Sequence, residues 1–99
     1  MDTAVVILNW NGERWLREFL PAVLERSRAH ARVIVADNGS TDGSVAWIRS
    51  SMPEVEVIEL PKNLGFAGGY NAALEQVRAD LFILLNSDVE VTAGWIPAL

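Results

Sequence analysis

Short apolar runs alternate with amphipathic blocks along the whole chain, and that alternation leaves few folds open. Ala4-Val5-Val6-Ile7-Leu8 is a continuous run rich in β-branched residues, ended by Asn9-Trp10-Asn11-Gly12. Such a run suits a strand buried on both faces and closed by a tight loop. From Glu13 to Arg28, Trp15, Leu16, Phe19, Leu20, Val23 and Leu24 recur at helical spacing, and Pro21 is expected to interrupt or kink that helix. Arg32 to Ala36 predicts a second strand, and Ser44 to Ser51 a short helix that stops before Pro53. Val55 to Leu60 predicts a third strand, more exposed because Glu56 and Glu59 interrupt its apolar residues. Ala67 to Arg78 reads as a helix and Leu81 to Leu85 as a fourth strand. Strands joined by helical crossovers of this length form right-handed βαβ units and a parallel sheet.

Composition narrows the partners. A chain of 99 residues makes one domain at most, and a domain of this size buries only roughly 60–65% of its unfolded surface. At 51% hydrophobic the sequence suits strands covered on both faces, and it also suits a piece of a larger domain. A net charge of -5 argues against a nucleic-acid partner. The absence of cysteine excludes a disulfide framework and a thiolate metal site. No run approaches the ~20 apolar residues of a membrane span. Met1-Asp2-Thr3 lacks the basic start of a signal peptide. The expected location is therefore the cytoplasm, or the inner face of the membrane if further sequence supplies an anchor.

Two acidic turns carry the chemistry. Leu81 to Leu85 runs directly into Asn86-Ser87-Asp88-Val89-Glu90, and the second strand runs into Asp37-Asn38-Gly39-Ser40-Thr41-Asp42-Gly43. Both sit at strand C-terminal ends, where open α/β sheets bind ligands. A divalent cation with a diphosphate suits a carboxylate placed there. Asp37 is expected to accept hydrogen bonds from a nucleoside, while Thr41 or Asp42 caps the following helix. Asn63-Leu64-Gly65-Phe66-Ala67-Gly68-Gly69-Tyr70-Asn71 joins a glycine-rich turn to a helix. Its glycines either admit a phosphate to free N–H groups or allow close helix–sheet packing.

No Gly-x-Gly-x-x-Gly follows the first strand, and there is no Gly-Lys-Ser/Thr phosphate loop. Both absences argue against a dinucleotide-dependent dehydrogenase and a nucleoside-triphosphate hydrolase. His30, at a helix-to-strand turn, reads as a surface residue. Trp15 and Trp47 read as core, Trp10 as a residue flanking a nucleobase or as loop, and Trp95 as sugar-lining or packing. Lys62 is expected to face solvent.

These motifs, in this order, resemble family 2 glycosyltransferases, and most closely their rhamnosyltransferase-like branch. The resemblance covers nearly the whole chain. It implies a GT-A fold: a Rossmann-like three-layer α/β sandwich with a mainly parallel sheet in strand order 3-2-1-4, here ending after the fourth strand. Residues 1–99 would be the N-terminal, nucleotide-sugar-binding half of such a domain. The implied activity is inverting transfer from a nucleotide-diphosphate sugar to a saccharide or lipid-linked acceptor, with Mn²⁺ or Mg²⁺. The implied donor-site residues are Asn9, Trp10, Asn11, Asp37, Asn63, Gly65, Gly68 and Asn86, with Asp88 on the metal. Asn86 stands where the family's Asp-x-Asp motif has its first aspartate, so one charge is missing. The general base is expected beyond Leu99, which would leave this chain alone inactive and its fourth strand an unpaired edge prone to self-association. Two other classes remain open: a non-catalytic nucleotide-sugar-binding module, and a sugar nucleotidyltransferase. The latter would carry a basic glycine-rich loop after the first strand, which Asn9-Trp10-Asn11-Gly12-Glu13 is not.

Overall fold

The computed structural model describes residues 1–99. The elements run β1 (Thr3–Asn9), α1 (Glu13–Ser27), β2 (Arg32–Asp37), α2 (Ser44–Ser51), β3 (Glu56–Glu59), α3 (Gly65–Glu75) and β4 (Leu81–Asn86). All strands pair in parallel in the order β3-β2-β1-β4, the order that the family resemblance implies. Alternation along the central strands divides their side chains between two faces. Val5, Ile7, Val33 and Val35 pack on Leu16, Leu20 and Val23 of α1 and Ile48 of α2. Ala4, Val6, Ile34 and Ala36 pack on Tyr70 and Ala73 of α3. The result is three layers with β1 and β2 buried on both sides, as their continuous apolar runs require.

Two local expectations change, and the fourth strand is the expected edge. Helix α1 is continuous through Pro21 rather than broken by it. Pro21 lies on the exposed side, so the cost is the missing N–H and not a clash with the core. Helix α3 starts at Gly65, two residues before the expected Ala67, which puts Gly68 and Gly69 inside the helix. Strand β4 is an edge, and Leu81 and Leu84 are 44% and 49% exposed there. An apolar edge of this kind is open to pairing with another chain.

The starts of α1 and α2 are tied to each other. The Glu13 N–H, opening α1, donates to Asp42 Oδ2 at 3.1 Å. In return Glu13 Oε1 accepts from Gly43 N at 3.0 Å, just before α2. Asp42 Oδ1 also accepts the Ser44 N–H at 3.0 Å and the Ser44 hydroxyl, so it engages the first residue of α2 from the position before the Gly43 N-cap, and α1 as well. Burial works to raise the Asp42 pKa, but the hydrogen bonds from Ser44 and Glu13 outweigh it and hold the carboxyl below its ordinary 3.8. A carboxyl depressed on folding stabilises the fold above its unfolded pKa and loses that contribution as pH falls through the folded value. Asp42→Ala should therefore lower the urea midpoint modestly at neutral pH, with the gap to the parent closing as pH falls below the ordinary carboxylate range. An acid-independent gap in urea titrations across that range would show that the carboxylate is not the stabilising group.

Candidate functional site: a cleft at the strand ends

The parallel register brings the C-terminal ends of three strands side by side. Asn9 faces Asp37 across β1 and β2, and Leu8 faces Asn86 across β1 and β4. The loops beyond these ends enclose a cleft of about 570 Å³. Its β2–β3 end is walled by Asn38, Asn63, Gly65 and Phe66, and its middle by Leu8, Trp10, Asn11 and Gly12. At the β4 end the wall is Trp15 with Asn86, Ser87 and Asp88. Of the residues that the sequence singled out, Trp10, Asn11, Asn63, Gly65, Asn86 and Asp88 thus meet in one place.

Asn9, Asp37 and Gly68 are not among the residues that wall this cleft. Asp37 is 4% exposed. Its Oδ1 accepts from Asn9 Nδ2 at 3.0 Å and from the Ser40 hydroxyl at 2.7 Å, and its Oδ2 accepts the Ser40 N–H at 2.9 Å. A carboxylate so engaged shapes the β2 loop and ties it to the end of β1. Asn9 is fully buried, and the Asp37 carboxylate fixes its amide orientation, because turning Oδ1 towards Oδ1 would set acceptor against acceptor. The Asn9 Oδ1 is left buried without a hydrogen-bond partner. Gly68 sits in the body of α3, where a Cβ would meet only Leu64 Cβ at 3.4 Å, whereas Gly69 beside it is crowded. A Cβ on Gly69 would lie 2.8 Å from Leu8 Cδ1 and 2.9 Å from Asn38 Nδ2, so close packing decides Gly69.

The loops are rigidified by side-chain amides. Asn11 takes a positive φ of 50°, which asparagine tolerates. Its Oδ1 accepts the N–H groups of Thr41 at 2.7 Å and Asp42 at 3.2 Å, while its own N–H donates to Ser40 Oγ at 2.8 Å. Asn38 does the same on the other side. Its Oδ1 accepts Leu64 N–H at 2.9 Å, and its Nδ2 donates to Asn63 Oδ1 at 3.2 Å and to the Gly65 carbonyl at 3.1 Å. Gly39 makes that contact possible. It has φ +81°, and a Cβ would come within 2.8 Å of the Asn63 backbone N.

Sequence reading missed Asn38, Gly12, Phe66 and Ser87 as wall residues, and it placed Trp15 in the core although Trp15 is 38% exposed. Each neighbours a residue that was identified, so the signal was the loop as a unit and not the single polar side chain. Trp95 packs against the α1 side of the sheet, its Nε1 donating to Ser27 Oγ at 3.1 Å. Trp47 is half-buried, and His30 and Lys62 are exposed, as expected. At the β4 end, Tyr70 reaches under the sheet and donates to the Leu85 carbonyl at 2.8 Å. Burial pushes the Tyr70 phenol above its ordinary 10.0, with the Leu8 N–H pulling the other way. Asp88 is exposed, and it is the one carboxylate on the cleft wall.

Comparison with known proteins agrees with this architecture. An uncharacterized glycosyltransferase of Bacillus subtilis, YfnE, is 34% identical over 92 residues, which cover 90% of this chain and 24% of that protein. An N-acetylglucosaminyl-diphospho-decaprenol L-rhamnosyltransferase of Mycobacterium tuberculosis is 28% identical over 106 residues, covering 96% and 34%. Among solved structures, Staphylococcus aureus TarS 1-349 in complex with UDP-GlcNAc superposes with a TM-score of 0.85 at 21% identity, over 99% of this chain and 30% of that one. The mannosyltransferase PcManGT of Pyrobaculum calidifontis, in complex with GDP-Man and Mn²⁺, gives 0.80 at 23% identity, over 92% and 28%. These structural matches establish the GT-A-like fold, and the chain spans roughly a quarter to a third of the length of these proteins. The family model for glycosyl transferase family 2 matches residues 4–99, nearly the whole chain. The chain belongs to glycosyl transferase family 2.

Proposed function

We propose that the cleft binds the nucleotide of a nucleotide-diphosphate sugar, whose sugar is transferred with inversion to a hydroxyl of a saccharide or lipid-linked acceptor. The observation that carries this reading is the cleft's polarity. Amides and aromatic faces wall the β2–β3 end and the middle, and a carboxylate with no partner stands at the β4 end. A nucleoside suits the former, with its base beside the 54% exposed Trp10 and the amides of Asn11 and Asn63 at its edge. A diphosphate then points towards Asp88, and Asn86 can hydrogen-bond ribose. UDP-GlcNAc in TarS and GDP-Man in PcManGT, two proteins of the same fold, support this choice of ligand.

The β4 end fits a divalent cation only in company with a diphosphate. No group of three His, Cys, Asp or Glu side chains converges anywhere in the chain, so there is no all-protein cage. Hard cations such as Mg²⁺ are commonly held by one or two carboxylates plus substrate phosphates. Asp88 would hold Mn²⁺ or Mg²⁺ in that manner, and the cation would neutralise charge on the departing nucleoside diphosphate. Inversion also requires a base to deprotonate the acceptor hydroxyl. With Asp88 as the only carboxylate on the cleft wall, that base belongs to another part of the protein. The same fact keeps a second reading in play, a nucleotide-sugar-binding module without turnover, and a transfer assay on the protein with its downstream sequence separates the two.

Two variants test the assignment by calorimetric titration of uridine and thymidine diphosphates, with Mn²⁺ and with chelator. Asp88→Ala should remove the cation-dependent gain in affinity and leave binding in chelator nearly unchanged. Asp37→Ala should weaken binding equally in both conditions, because it acts through the loop. It should also destabilise the fold by about 1–3 kcal/mol, since Asn9 Nδ2 and Ser40 N–H lose their acceptor. Equal losses for the two variants in chelator would remove Asp88 from the cation, and failure of the parent to bind either nucleotide would remove the reading itself.

A further inference from the structure

This inference rests on the nucleotide-diphosphate reading and adds a residue to it. Most cationic side chains are engaged within the chain. Arg17 pairs with Glu13, Arg28 with Glu54, Arg32 with Asp2 and Glu56, and Arg49 with Glu59. Arg26 donates to the Val91 carbonyl. Arg14 has no such partner, although Glu18 lies four residues on, at a spacing that favours pairing on a helix. Its guanidinium instead stacks over Trp15, 4.8 Å from the ring centroid. Trp15 is itself held against Phe19, with centroids 6.3 Å apart and planes 13° from parallel. That indole is the part of α1 that walls the cleft beside Asn86, Ser87 and Asp88.

Stacking fixes a guanidinium in place but leaves its fork of N–H donors unsatisfied, and that fork matches phosphate oxygens. Arg14 is therefore a positioned cation that no carboxylate neutralises, set over the indole of the β4-end wall residue Trp15 in a chain of net charge -5. We propose that Arg14, presented by Trp15, recognises a phosphate group at this end of the cleft. The phosphate belongs either to the donor's diphosphate or to a phosphate-bearing acceptor, and the chemistry of recognition is the same.

The test uses calorimetry on the parent, Arg14→Gln, Arg14→Lys and Trp15→Leu, with thermal midpoints confirming that each variant is folded. The probes are uridine, uridine diphosphate, and farnesyl diphosphate added to nucleotide-saturated protein. Loss of one charge-assisted contact should weaken binding about tenfold. With the donor as source, Arg14→Gln loses that factor for uridine diphosphate and nothing for uridine. With the acceptor as source, the loss falls on farnesyl diphosphate alone. Arg14→Lys should recover part of the affinity, and Trp15→Leu should lose part of it while keeping the charge. Unchanged affinity of Arg14→Gln for both phosphate probes would overturn the proposal while leaving the nucleotide site intact. A parent that binds neither uridine nor its diphosphate would overturn both.

Discussion

Parallel pairing on both sides of β1 is the constraint on which the rest depends. Antiparallel neighbours would send alternate strand ends to opposite edges of the sheet. Parallel ones send every C-terminal end to the same edge. Once β2 and β4 both pair with β1, Asn9, Asp37 and Asn86 stand at one edge, and the loops that follow have to share one space. The helices that make such pairing possible also cover both faces. The short apolar runs and the cleft are therefore two consequences of one topology.

Sharing a space imposes a second demand, because loop N–H and C=O groups brought together out of solvent have to find partners. Small amides meet it here. Asn11 and Asn38 each accept backbone N–H groups across to a neighbouring loop, and the Asp37 carboxylate takes the Ser40 N–H while holding the Asn9 amide. Glycines allow the contacts to close, Gly39 against the β3–α3 loop and Gly12 against Asn9, whose Oδ1 would lie 2.4 Å from a Cβ there. The polar residues at the strand ends thus divide by depth. Asn9 and Asp37 hold the loops from beneath, Asn11 and Asn38 hold them while also walling the cleft, and Asp88 faces the cleft free. The unpartnered Asn9 Oδ1 marks the limit of this arrangement, since the orientation that satisfies Asp37 leaves the other end of the amide with nothing to accept.

That division explains what the sequence revealed and what it withheld. Strand runs such as Val33-Ile34-Val35 carry a periodicity that burial on both faces dictates, so the elements, the parallel sheet and the strand-end location of the cleft were legible. Depth was not, since Asp37 and Asp88 both follow an apolar strand directly. Only the neighbouring Asn9 and Ser40, distant in sequence or out of phase, decide that Asp37 is enclosed while Asp88 is not. Trp15 was misplaced for a related reason. Helical spacing assigns a stripe, but the stripe of α1 is wider than the sheet surface that it covers. Leu16 and Leu20 take the core, and Trp15 is left at the margin facing the cleft.

The uncharged Asn86 bears on how the β4 end would work. Two carboxylates at the end of one strand repel each other and attract a cation even in the absence of substrate. Asn86 removes that repulsion and half of the attraction, and Asp88 alone is a weak cation site in water. On the proposed reading, cation and diphosphate then depend on each other, because each supplies charge that the other lacks. Linkage makes that dependence reciprocal: whatever factor a cation adds to nucleotide affinity, the nucleotide adds to cation affinity. A single carboxylate thus favours a site that assembles with its ligand over one that holds a resident metal.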